Sequence, residues 1–454
     1  MENTQQILDL LNSDDASVRK NAVESILVSP SDEIIKKLCD MISDDDKGIR
    51  NTISLKLGFN PDWNAAKYLV KYISSDDISV RNLAGDILIK IGKNAVVALE
   101  EHILTANEAD QKFILDVLGL IGDPSVGPVT LKVLEESPYD NVILACIETL
   151  GNVRHSEAVN ALVSFFNKSE LYQPSVIEAL GKIGGSVALG FMMAQYDVVD
   201  ELSRYSIIEG LAAAGEESTF FFLLNKLYNT GGPLVWALIN SIAQLKDKYG
   251  FDIPYDEKIR NLILRTVSES EPQFRNAAVR LAVNFHDADT TEQLLKILGS
   301  DFTFDDDIKQ NLFTNPHNVI IKIPAIIKQQ PSNLKELLFL LCELVDMHGE
   351  NIKSIPLHNL NDALTQCITN PDEEVRRISI ELLFKLDEEI ALLFVDVMLE
   401  DENLWNRMKL VELLQYSKSP IAEDALNRLQ NDEEQMVSES AKQILSERQS
   451  EIQN

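Results

Sequence analysis

The stretch "SSDDISVRNLAGDILIKIG", residues 74–92, sets a polar turn against a run of regular apolar spacing. Val80, Ala84, Ile87, Leu88 and Ile91 fall on one side of a helix at 3.6 residues per turn. Asp77, at the end of the turn, has the chemistry of a helix N-cap, and Gly92 that of a helix stop. The same wording stands upstream as "SDDASVRKNA" from Ser13 and "SDDDKGIRNT" from Ser43, and downstream as "SESEPQFRNAA" from Ser268 and "NPDEEVRRIS" from Asn370. Arg19, Arg50 and Arg81 lie 31 residues apart. A fixed period of that size is the signature of stacked structural repeats.

With the residue before the arginine taken as position 0, position 9 reads Leu27, Gly58, Ile89, Gly119, Gly151, Gly181, Ala212 and Ala243. Successive steps are 31, 31, 30, 32, 30, 31 and 31 residues. Arg376 and Arg407 restore the beat near the end of the chain. Apolar residues recur at positions 4, 7, 8 and 11, and a second helical stripe precedes each turn, as in "AAKYLVKYI" from Ala65. Each unit therefore reads as two antiparallel helices joined by a short polar turn. No alternating strand pattern competes.

The spelling D-x-x-x-V-R-x-x-A-x-x-x-L-G-x-I-G resembles the short HEAT repeats, of about 30 residues, of bacterial HEAT-like proteins. The resemblance implies an all-α, right-handed α-solenoid of about 14 helix pairs, with the second helices lining the concave side. It also implies a ladder in which turn aspartates (Asp14, Asp45, Asp76) pair with arginines of neighbouring repeats (Arg19, Arg50, Arg81). Three segments are expected: regular repeats over 1–245, irregular helical repeats with longer connectors over 246–360, and regular repeats over 361–454. The middle segment should bend or shift the superhelix, because there the beat is lost.

The 454-residue chain carries a net charge of −31. That charge repels phosphate backbones and anionic lipid surfaces, so neither nucleic acid nor membrane insertion is expected. A DNA-binding HEAT-like fold of the alkylation-repair type would need a basic groove, which this sequence does not offer. No apolar run reaches the length of a membrane span, and the first residues lack the order of a signal peptide, so the expected compartment is the cytoplasm. Cys39, Cys146, Cys342 and Cys367 each sit inside an apolar helical pattern and read as buried reduced thiols. The six histidines show no zinc spacing, and there is no phosphate loop or nucleophile elbow. One HEAT-like enzyme family, deoxyhypusine hydroxylase, holds iron through His-Glu dipeptides, and this sequence has none. The chain is accordingly expected to be non-enzymatic, with no cofactor, no catalytic residue and no metal.

Positions 2, 6 and 9 fall about 180–240° around the helix from position 0, away from the core and toward the groove. Position 6 reads Glu24, Leu55, Asp86, Asp116, Glu148, Glu178, Glu209 and Asn240, then Glu381 and Glu412, a carboxylate in most repeats. Position 2 turns from Lys20, Asn51, Asn82 and Lys112 to Leu144, Pro174, Tyr205 and Trp236. Position 9 there is glycine or alanine, which leaves room beside the groove. The expected site is thus an apolar and aromatic strip (Leu144, Pro174, Tyr205, Trp236) flanked by acids (Glu148, Glu178, Glu209). It suits a basic or amphipathic segment of a partner protein, in a scaffold or adaptor of bacterial signalling or chemotaxis. The alternative is a HEAT-like subunit of a bilin lyase acting on phycobiliproteins. Oligomeric state is not legible in the sequence.

Overall fold

The computed structural model describes residues 4–26, 30–269 and 271–452. Leu27, one of the position-9 residues, lies outside them, as does Ser270 in the turn from Ser268. The described residues form helices and turns, with no strand among them. Two compact units divide the chain, Met1–Tyr249 and Gly250–Asn454. Each is an α-solenoid built of antiparallel helix pairs, and among the described residues eight pairs run through the first unit and six through the second.

In the first unit the second helices of successive pairs pack side by side in one layer. They are Ala16–Ser25, Lys47–Gly58, Ile78–Ile91, Glu108–Ile121, Asp140–Asn152, Gln173–Ile183, Glu201–Ala214 and Leu234–Tyr249. The first helices cover their other side. The turn chemistry works as read: Asp15, Asp46, Asp77 and Asp200 each accept a backbone N–H at the start of a second helix. Gly92, Gly122 and Gly184 then end their helices with φ near +70°, where a side chain would be strained. The apolar stripe of residues 78–91 is fully used, with Ala84, Ile87 and Leu88 wholly buried. Full burial of a side chain such as Ile87 or Leu88 stabilises the fold by about 2 kcal/mol.

Apolar stripes fix which face is buried but not which repeat lies against which. That task falls to the arginines. Arg376 donates from Nε and Nη2 to both carboxylate oxygens of Asp401, at 2.8 and 2.9 Å. Its Nη1 holds the carbonyls of Asn370 and Pro371 in its own turn. Arg407 does the same one repeat on, gripping Asp432 at 2.8 and 2.9 Å and the Asp401 carbonyl at 2.7 Å. Arg19 forks onto Asp44 at 2.9 Å through both nitrogens and holds the Ser13 and Asp14 carbonyls. Each guanidinium thus ties its own turn to the carboxylate 25 residues later.

The ladder is present, but its acids differ from the expected ones. The carboxylate of the first rung is Asp44, not Asp45, because Asp44 opens the turn and faces back, where it also accepts the Asp46 N–H. Asp14 serves only through its carbonyl, and Asp76 forms no rung. Arg50 keeps its own turn carbonyls but finds Ser75 at the spacing where Arg19 finds Asp44. Arg81 reaches instead to Asp110, at 3.0 Å. In the second unit Arg260 meets Asp287 at 2.7 Å, a rung that the irregular wording of that stretch concealed. There, side-chain amides take over part of the task. Asn311 donates to the Val283 and Phe285 carbonyls, and Asn333 to those of Leu295 and Leu298.

Burial alone would push the Asp401 carboxyl up, but the Arg376 fork and the Asn403 and Asn406 donors hold it below its ordinary value. Asp432 and Asp44 are lowered through the same contest between burial and their arginines. A lowered folded pKa stabilises the fold fully above about pH 3.9, the ordinary aspartate value, and the contribution is lost as pH falls through the folded value. Removing one partner of a buried pair costs about 3 kcal/mol, because the other is stranded. Arg376→Gln should therefore lower the unfolding free energy by about that amount, seen as a lower denaturant midpoint, and move acid unfolding to higher pH. Both are read by circular dichroism, and an unchanged acid midpoint would contradict this role for the rung.

Candidate functional site

The position-2 residues stand on four neighbouring second helices, Asp140–Asn152, Gln173–Ile183, Glu201–Ala214 and Leu234–Tyr249. Pro174 is exposed and Leu144 half-buried; Tyr205 and Trp236 keep 43% and 38% of their surface in contact with solvent. Glu148, Glu178 and Glu209, one helical turn further along, are exposed. Position 9 behaves differently from expectation. Gly151, Gly181, Ala212 and Ala243 are buried, not open to a groove. The arc that faces away from a pair's own core is partly covered by the next second helix. A Cβ on Gly181 would lie 2.8 Å from the Cα of Gly210, and one on Gly151 would lie 2.8 Å from the Cα of Ala179. The small residues are there because two backbones meet, and the room they leave is already taken.

Between the Gln173–Ile183 and Glu201–Ala214 helices runs a cleft of about 720 Å³. Pro174, Glu178 and Glu209 line it, with Gly181, Ser206, Gly210 and Ala213; Leu144, Glu148, Tyr205 and Trp236 do not. Three cations, Arg154, Lys182 and Lys248, line it as well. Lys182 lies 2.6 Å from Glu178 and donates to the Asn152 side-chain carbonyl at 2.9 Å. Lys248 approaches the Ala213 carbonyl at 3.5 Å. The sequence reading missed these cations, although Lys182 stands four residues after Glu178, a spacing that pairs opposite charges on a helix.

The same spacing neutralises much of the acidic line. Glu24 faces Lys20, Asp116 faces Lys112, and Glu381 faces both Lys385 and Lys409. Among the described residues Asp86, Glu148 and Glu209 have no such pair. Burial first, and then the Glu209 carboxylate, push the Tyr205 phenol above its ordinary pKa. Tyr205 is therefore a neutral donor at the edge of this surface.

Burial raises all four thiols: Cys39 and Cys342 are pushed up to about 12, and Cys146 and Cys367 are also raised. Such thiols stay protonated and are poor nucleophiles. Among the described residues no group of three or more His, Cys, Asp or Glu is placed to hold a metal ion. No helix among them is long and apolar enough to cross a membrane.

The glycine contacts yield a direct test. Gly181→Ala sets a methyl against the backbone of Gly210, and a helix must move to admit it. Overpacking of this kind destabilises by about 1–3 kcal/mol, which urea denaturation of the variant would register. Gly190→Ala, on a helix where an added Cβ meets nothing within 4 Å, should leave stability unchanged or slightly raised.

No curated protein matches the chain. A crystal structure of an engineered protein matches over 98% of each chain at 15% identity, with a TM-score of 0.30, a value that carries no argument. Residues 127–212, which hold the Gly151 and Gly181 helices, match the family model for HEAT repeats. That match, together with the paired helices, supports assigning these residues to the HEAT repeats.

Proposed function

We infer that this chain is a non-catalytic scaffold or adaptor that holds a partner protein on the second-helix layer of its first unit. HEAT repeats generally mediate protein–protein interaction. The observation that carries the reading is the run of Pro174, Tyr205 and Trp236, apolar and solvent-facing, on adjacent helices with Leu144 at its end. A soluble surface rarely gathers such residues in one place without a use for them. Glu148 and Glu209, which have no lysine partner among the described residues, flank the strip. They favour a partner segment that is basic or amphipathic, in keeping with a chain of net charge −31. Glu178 contributes less, since Lys182 already balances it. The mixed charge of the cleft suits a segment that offers a basic side chain to Glu209 and an acidic or carbonyl group to Arg154 and Lys248. A place in bacterial signalling or chemotaxis, and in the cytoplasm, belongs to the same proposal.

The test is a partner recovered by affinity capture and identified by mass spectrometry, then titrated against variants. Trp236→Ala should weaken binding about tenfold or more at every salt concentration, as expected for an aromatic anchor. Glu209→Lys and Glu148→Lys should slow association most at low salt, where charges are least screened. Glu178→Lys should do so less. Normal binding by all of these variants, with helical content intact, would place the interaction elsewhere on the chain.

A further inference from the structure

Arg204 stands at the ladder position of its repeat, yet it has no rung. Counting 25 residues on, as from Arg19 to Asp44, from Arg376 to Asp401 and from Arg407 to Asp432, leads to Asn229. No carboxylate lies within ion-pair distance of Arg204 among the described residues. Its fork has turned back on its own loop, with Nε donating to the Tyr196 carbonyl at 2.9 Å and Nη2 reaching the Asp197 carbonyl at 3.4 Å. Where the rung would be there is a polar pocket of about 480 Å³, which Arg204 and Asn229 both line.

Tyr196 and Thr230 also line the pocket; Tyr196 is only 3% exposed, and the Thr230 hydroxyl, which donates to the Lys226 carbonyl at 2.7 Å, remains an acceptor for the phenol. The remaining charges are Lys226, which is held by Asp197 at 2.6 Å, and Glu201, which is exposed. The four charged side chains of the lining sum to zero.

We propose that this vacant rung is a binding site for a carboxylate, supplied from outside the chain and held by the Arg204 guanidinium and the Asn229 amide. The ligand completes from outside the interaction that three other arginines complete from within. Its source is either a small organic acid or an aspartyl side chain of a partner, and the two share the recognising chemistry. The site is separate from the exposed strip of the second-helix layer and does not depend on that surface being a docking site.

The experiment titrates the intact protein with acetate, succinate and N-acetyl-aspartate N-methylamide at constant ionic strength in chloride. Binding is followed by isothermal calorimetry and by melting temperature. At least one acid should bind saturably in the millimolar range or tighter. Preference for succinate identifies a free acid as the source; preference for the aspartyl mimic identifies a partner side chain. Arg204→Gln should weaken binding at least tenfold. Asn229→Asp supplies the missing carboxylate from within. It should raise the melting temperature of the unliganded protein and also weaken binding of the added acid at least tenfold, an outcome that a misfolded variant could not produce. The proposal is overturned if none of the three acids saturates, if inorganic phosphate is bound in preference to all of them, or if Asn229→Asp binds the acid as the wild type does.

Discussion

A two-pronged grip of one guanidinium on one carboxylate decides how the repeats register. An apolar stripe tolerates sliding, since Ile, Leu and Val present similar surfaces to a neighbour one helical turn away. The fork of Arg376 on Asp401 does not, because both nitrogens must meet both oxygens in one plane. The two side chains are 8% and 3% exposed, so the cost of drying them is met only in the correct alignment. Where a rung is present, the cap of the second helix lies in the turn that the arginine braces; the helices of Gly151 and Gly181 carry Ile143 and Gln173 at that position, and there the close approach of small residues sets the packing instead.

Much of this was legible in the sequence. The 31-residue beat and the stripe at positions 4, 7, 8 and 11 gave the helix pairs, because burial needs only a repeated side chain type at a repeated angle. The ladder was legible in kind and misread in detail. Asp44, Asp45 and Asp46 stand together, and no rule of composition tells which one accepts the fork, which one caps the helix and which one faces water. The turn geometry decides it: Asp46 accepts from Ile49, and Asp44 is left pointing at Arg19. The second unit was less legible for a related reason. There Asn311, in a helix, and Asn333, in a turn, satisfy carbonyl ends with amides, and an asparagine carries no periodic mark.

The candidate surface shows a similar limit. Angular counting placed Tyr205, Trp236 and the glutamates at positions that are indeed exposed, since exposure depends on a residue's own helix and its immediate neighbours. The same counting failed for Gly181, because a residue that faces away from one core can face the next helix. Nor could it weigh the lysines. Glu178 is an acid on the sequence but is balanced by Lys182 at 2.6 Å, whereas Glu209 has no lysine partner among the described residues and stands beside Tyr205, whose phenol is pushed up by burial and then by that carboxylate. A line of acids in a chain is therefore not yet a line of negative potential.

The rung has one more property, which concerns chain length and not energy. Between Arg376 and Asp401 the chain completes one helix, turns, and runs through the short helices Glu388–Leu393 and Val395–Leu399. Both ends of that path are pinned in a single plane of four atoms. A rung is thus a ruler laid along its repeat: the two-pronged forks of Arg19, Arg376 and Arg407 all measure 25 residues, whereas Arg81 and Arg260, whose partners lie 29 and 27 residues on, make contact through a different path. Where no carboxylate answers, as at Arg204, the ruler is missing, and the chain that follows Asn229 runs through Gly231 and Gly232. The places in these units where length can change freely are those that no arginine spans.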